Sequence, residues 1–208
     1  MLQPIDHALR HRADGQILSM RTIHKRPQGY ALSVTLTAEE RRIRRRYLLR
    51  REARNKRCVA RHEAAHCVVM SQYGLGYQAW VEAKDGSNRW TGMQRSIGRY
   101  QPNRFQNAVV AWAGSIVDYL SGWPLDEWRK VSPVPFESVA IEKVNWWEEY
   151  GPELTRSGHV ECDLYSIVRT RQKWRALKLS WEIVVSRRVE IAGMAAILMK
   201  RESVDAVV

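Results

Sequence analysis

Cysteine is scarce in this chain and phenylalanine nearly absent: three Cys (Cys58, Cys67, Cys162) and two Phe stand in 208 residues. Three thiols without paired spacing argue against a disulfide framework and for a reducing compartment. Long apolar runs are missing as well. The longest, Ile191 to Met199, falls far short of the about 20 residues that span a bilayer. No charged-then-apolar leader opens the sequence, so a soluble, cytoplasmic protein with no membrane span is expected. Acidic side chains are nearly lacking from residues 41–61, where eleven basic residues face only Glu52.

The net charge of +12 therefore sits in one segment. Residues 1–40 carry five basic and four acidic side chains, and residues 62–208 carry eighteen and seventeen, so the main body is close to neutral. The length fits one domain with a sizeable core. Nine Trp against two Phe suggest large aromatic anchors, in the core or in a peptide-binding groove.

Residues 1–36 have weak periodicity and several breakers, and are expected to form an arm; Leu32–Leu36 alternates like a short strand. Thr37-Ala38-Glu39-Glu40 has the form of a capping box and predicts a helix through the arginine-rich segment 37–57, with Ile43, Tyr47 and Leu48 on one stripe. Its Arg41, Arg42, Arg44, Arg45 and Arg46 form a candidate surface for nucleic acid or for an acidic partner. A solvated amphipathic helix is the plainer reading.

The most informative stretch is Arg61-His62-Glu63-Ala64-Ala65-His66-Cys67-Val68-Val69-Met70. Its composition predicts a helix from about Arg57 to Tyr73, stopped by Gly74-Leu75-Gly76. On a helix the i, i+4 spacing places His62 and His66 on one face, where two imidazoles can hold one Zn²⁺. Glu63 lies about 100° further round, able to reach water at the metal without being a ligand, which suits a general base. Two histidines that are merely hydrogen-bonded in a core helix are the alternative.

Beyond it, residues 77–83 predict a strand, Asp85-Gly86 a turn and Arg89–Gln94 a returning strand. Trp80, Val81 and Glu82 are candidates to pair with an extended substrate, although the hairpin could equally be structural. Pro102-Asn103 opens a helix to about Ser121 in which Asp118 is the one charge of the apolar second half, at the surface or buried with a partner. Residues 123–135 read as a loop, Glu137–Tyr150 as a short helix, and Gly151-Pro152 to Gly158 as a further loop. A helix is expected from near Val160, and one long helical stretch from about Gln172 to Arg201.

The order "RHEAAHCVV", "AGSIVDYLSG" (113–122) and "SGHVECDLYSIV" (157–168) resembles the zinc peptidase domain of FtsH-type ATP-dependent proteases, which reads approximately HEAGHA, GGRxAEExxxG and TGASNDLxxAT. The similarity covers roughly residues 56–206, so that 58–208 would be the peptidase domain. It implies a mainly α-helical fold with a small β-hairpin beside the metal helix. It also implies His62 and His66 as zinc ligands, Glu63 as base, Asp163 as third ligand, and Asp118 as the carboxylate orienting a ligand histidine. The interval from Gly158 to Asp163 is one residue longer than the family's, which keeps Glu161 open as third ligand; Cys162 would compete if the register slipped. Gly-x-x-x-x-Gly-Lys-Ser/Thr occurs nowhere in these residues, so a peptidase without the family's ATPase module is expected. The expectation is a zinc endopeptidase acting on flexible protein segments, unless a separate ATPase delivers its substrates. The rival expectation is a non-catalytic regulatory protein on the same scaffold, binding nucleic acid or an acidic partner through the basic helix.

Overall fold

Helix α1 (Lys56–Ser71) is the element on which most others pack. The structure, a computed structural model, describes residues 37–39, 41, 42, 45, 55–83, 90–156 and 162–206. After α1 come β1 (Gly76–Ala83), β2 (Trp90–Ile97), α2 (Arg104–Leu120), a 3₁₀ turn (Leu125–Lys130), α3 (Val134–Arg156), α4 (Cys162–Val168), α5 (Lys173–Ser186), α6 (Arg188–Arg201) and β3 (Ser203–Ala206). The protein is mainly α with a small antiparallel sheet, as the sequence predicts.

Local chemistry explains where α1 and α2 start. The Asn55 side chain accepts from the Cys58 N–H at 2.9 Å, so the helix begins just ahead of the expected 57/58 boundary. Asn103 and Gln106 form a reciprocal capping box at the head of α2. Ala60, Ala64 and Ala65 are fully buried, and these small side chains let α2 approach α1 closely. The two helices run antiparallel, since His66 meets Val110 while His62 meets Asp118. On α1's other flank, Lys56 bonds Glu202 and Gln72 accepts from Arg187, so α6 is antiparallel to α1 too.

The tryptophans mostly build core. Trp112 stacks on Trp174 at 6.4 Å, and Tyr119, Phe136 and Trp181 close a cluster between α2, α3 and α5 with ring centroids 5.5–6.0 Å apart. Trp128 and Trp147 are buried as well.

Three expectations are corrected, and the hairpin is extended. The predicted single helix 172–201 is two, divided at Arg187 (φ −96°, ψ 16°), because α5 packs on α2 whereas α6 packs on α1. The predicted loop at Gly151-Pro152 is helical to Arg156. Gly151 lies one turn after Trp147, where a Cβ would stand 2.6 Å from the ring, so aromatic packing outweighs the local preference. The loop 123–135 holds the 3₁₀ turn and the first residues of α3. The hairpin has a third strand: after α6 the chain reverses at Glu202 (φ 63°) and β3 pairs with β1.

The Leu32–Leu36 strand, the arm 1–36, the Asp85-Gly86 turn, Arg44, Arg46 and Glu161 lie outside the described residues. Within the predicted basic helix, Ala38, Glu39, Arg41, Arg42 and Arg45 are helical, and Arg41 N–H bonds the Thr37 carbonyl at 3.0 Å. Arg42 and Arg45 are exposed, Arg42 paired with Glu39 at 2.7 Å. No helix among the described residues is long and apolar enough to cross a membrane.

Candidate metal centre

Two ring nitrogens and one carboxylate oxygen converge where α1, α2 and the start of α4 meet. His62 and His66 stack up one face of α1 with ring centroids 4.8 Å apart. Asp163, in the first turn of α4, brings Oδ2 to 3.4 Å from His62 Nε2 and 3.5 Å from His66 Nε2. All three donor atoms lie within 4.8 Å of one another. Glu161 is outside the described residues, so Asp163 is the carboxylate that the described fold delivers.

The spacing bears on what the cluster holds. A direct imidazole–carboxylate hydrogen bond has a heavy-atom distance of about 2.7–2.9 Å. A tetrahedral ion with bonds of about 2.0–2.1 Å separates its ligand atoms by about 3.3–3.4 Å. The two separations from Asp163, 3.4 and 3.5 Å, are longer than the first figure and close to the second, in a set whose three donor atoms lie within 4.8 Å of one another.

The far side of each imidazole is also engaged. His62 Nδ1 lies 3.0 Å from Asp118 Oδ2, and His66 Nδ1 lies 2.7 Å from the Val110 carbonyl. Because both partners are acceptors, each Nδ1 carries a proton and donates, which leaves Nε2 of each ring turned toward Asp163 as the atom that can exchange its proton for a cation. Asp118, lone charge of an apolar helix end, is thus the mostly buried carboxylate with a partner.

Electrostatics favour positive charge here. Burial alone would depress the His62 pKa, but the Asp118 carboxylate, with Asp163 and Glu63, outweighs it and holds the pKa well above the usual histidine value. Burial likewise opposes the His66 cation, and Asp163 overcomes it, raising that pKa too. Burial would raise Asp163, yet the two histidines keep it well below the ordinary carboxylate range. Burial pushes the Glu63 pKa up, against the opposing pull of His62 and His66. A divalent cation would displace those histidine protons and meet the same field, so the donor set and its surroundings fit a metal ion.

Glu63 is only 6 % exposed and belongs to the α1 face covered by the sheet. Cys67 turns into the core, fully buried, where burial pushes its thiol pKa up. Trp80 and Val81 do not form an open edge, whereas Glu82 lies beyond the β3 pairing and is exposed. Strand order is β2-β1-β3, Trp80 pairs with both Met93 and Ser203, and Val81 N–H bonds the Glu202 carbonyl at 2.8 Å. Over Tyr77–Trp80, where β1 is paired on both sides, a peptide cannot add to it; the outer edge of β2 is without a strand among the described residues.

Sequence reasoning missed Gly114. A Cβ there would sit 2.5 Å from Cε1 of His62, so the glycine is the flat place on α2 against which the imidazole lies. Its position four residues before Asp118, one helical turn, was the signal available.

No family model matches this chain, and no curated protein matches it. The case for function rests on the site.

Proposed function

We propose that this protein is a zinc-dependent endopeptidase of the FtsH peptidase type, acting in the cytoplasm on flexible segments of other proteins. The observation that carries the reading is the single Asp163 oxygen facing both histidine Nε2 atoms at ion-sharing distance. Two histidines and a carboxylate also suit iron(II) oxygenases. What favours a hydrolase is Glu63, a buried carboxylate beside the donors but outside the set.

Zinc bound by His62, His66 and Asp163 would supply a Lewis acid that polarises the scissile carbonyl and acidifies water. Glu63, with its pKa raised by burial, takes a proton from water and returns it to the leaving amine. Asp118 and the Val110 carbonyl fix the orientation of the two imidazoles. An extended substrate would pair along the outer edge of β2, where backbone hydrogen bonds accept any sequence.

Metal analysis of the purified protein, beside cleavage of an unfolded protein substrate, tests the reading. Wild type should hold about one zinc per chain, and Glu63→Gln should keep it while cleavage falls by about 10²–10⁴. Iron in place of zinc, or full activity in Glu63→Gln, would overturn it.

A further inference from the structure

Strand β2 lies closer to Glu63 than a strand residue with a side chain would permit. Gly92, the third residue of β2 and opposite Val81, is the point of contact. A Cβ built there would stand 2.5 Å from Cγ of Glu63, 2.6 Å from its Oε1 and 2.7 Å from Cγ1 of Val59. Ordinary contacts of a Cβ begin at 3.4 Å, so the Glu63 and Val59 side chains occupy the space a side chain at Gly92 would need. Val59 and Glu63 are one turn apart on α1, which makes them a single ridge under the strand. Glu63 is consequently held between its own helix and a strand backbone, and β2 cannot move off it alone without breaking its pairing with β1.

We propose that Gly92 is a positioning residue for Glu63: lacking a Cβ, it lets β2 clamp the carboxylate side chain beside the two histidines, and any larger residue there displaces the base. The consequence for rate rests on the peptidase reading; the clamp itself does not.

The test is a set of variants read by thermal unfolding and metal content. With no clash, Gly→Ala within a strand removes backbone freedom from the unfolded chain and should raise stability. With the clamp, Gly92→Ala should instead lower Tm by about 2–12 °C, the range for overpacking in a chain of this size. Adding Glu63→Ala should restore most of that loss. An insoluble Gly92→Ala beside a folded Gly92→Ala/Glu63→Ala counts the same way. A Tm that is unchanged or higher in Gly92→Ala overturns the proposal. So does a loss relieved only by Val59→Ala, or by neither change. In a wild type that cleaves, Gly92→Ala should keep its zinc and lose about 10–100-fold in kcat with KM nearly constant. A raised KM at unchanged kcat would remove the positioning role. A wild type that cleaves nothing counts against the peptidase reading alone, because the Tm coupling still decides the clamp.

Discussion

His62 Nδ1 and Asp118 Oδ2 meet at 3.0 Å across 56 residues of sequence, tying the metal helix α1 to α2. A carboxylate in that position makes the imidazole a stronger donor to a cation and fixes its ring plane. Asp118→Asn should therefore weaken zinc binding by about 10–100-fold while the far-ultraviolet spectrum stays that of the wild type. Competition with a chromophoric chelator measures it, and an unchanged affinity would remove Asp118 from the site.

Asp163 and His66 are expected to act as ligands outright. After metal-replete purification, Asp163→Asn and His66→Ala should each hold far less than one zinc per chain, since each loses a donor from the three-member set. Full zinc in Asp163→Asn would reassign the third ligand, with Glu161 the first alternative to examine.

Gly114 and Gly193 make an internal comparison. Alanine at Gly114 pushes a Cβ against the His62 ring, and overpacking of this kind costs about 1–3 kcal/mol. At Gly193, inside α6, a Cβ meets nothing within 4 Å, so alanine should add about 0.5–1 kcal/mol through helix propensity. Denaturant titrations should move in opposite directions, and Gly114→Ala should bind zinc more weakly. Equal effects at the two sites would deny the close approach.

Stability should depend on pH in a metal-sensitive way. His62 and His66 have folded pKa values above the usual 6.5, so their contribution is complete below that value and is lost as pH rises through the folded pKa values. The raised Glu63 pKa acts in the same sense, its contribution present below 4.5 and lost on the way up. Asp163, with a lowered pKa, contributes above its usual 3.8 and loses that contribution only in strong acid. Chelator-treated protein should thus lose stability as pH rises above about 6.5. Metal replaces the lost protons, so the Tm drop caused by chelator should be larger at pH 8 than at pH 6. Binding near neutrality should also release protons, detectable by calorimetry in buffers of different ionisation enthalpy. A chelator effect independent of pH would mean that these histidines are not the ligands.

Much of the local structure was legible because it depends on neighbours in sequence. The Asn103 cap and the apolar face of α2 announced that helix; the residues of 77–83 and the Asp85-Gly86 turn signal announced β1 and β2. The division at Arg187 and the helical run through Gly151 were not legible. Each is decided by which distant helix or ring the segment packs against, and propensity carries no information about that. The same holds for Trp80 and Val81: their strand was expected, but its place between two others depends on residues 202–206 returning from the far end of the chain.

The sequence by itself determined that His62 and His66 share a helix face with Glu63 beside them, because helical periodicity fixes the relation of residues one turn apart. Tertiary structure alone decided the rest of the centre. It brought one Asp163 oxygen to both Nε2 atoms and Asp118 to the far side of His62. It also laid Gly114 and Gly92 against His62 and Glu63. Those relations join separate elements, and only the packing of α2, α4 and β2 onto α1 fixes distances to within the size of a single atom.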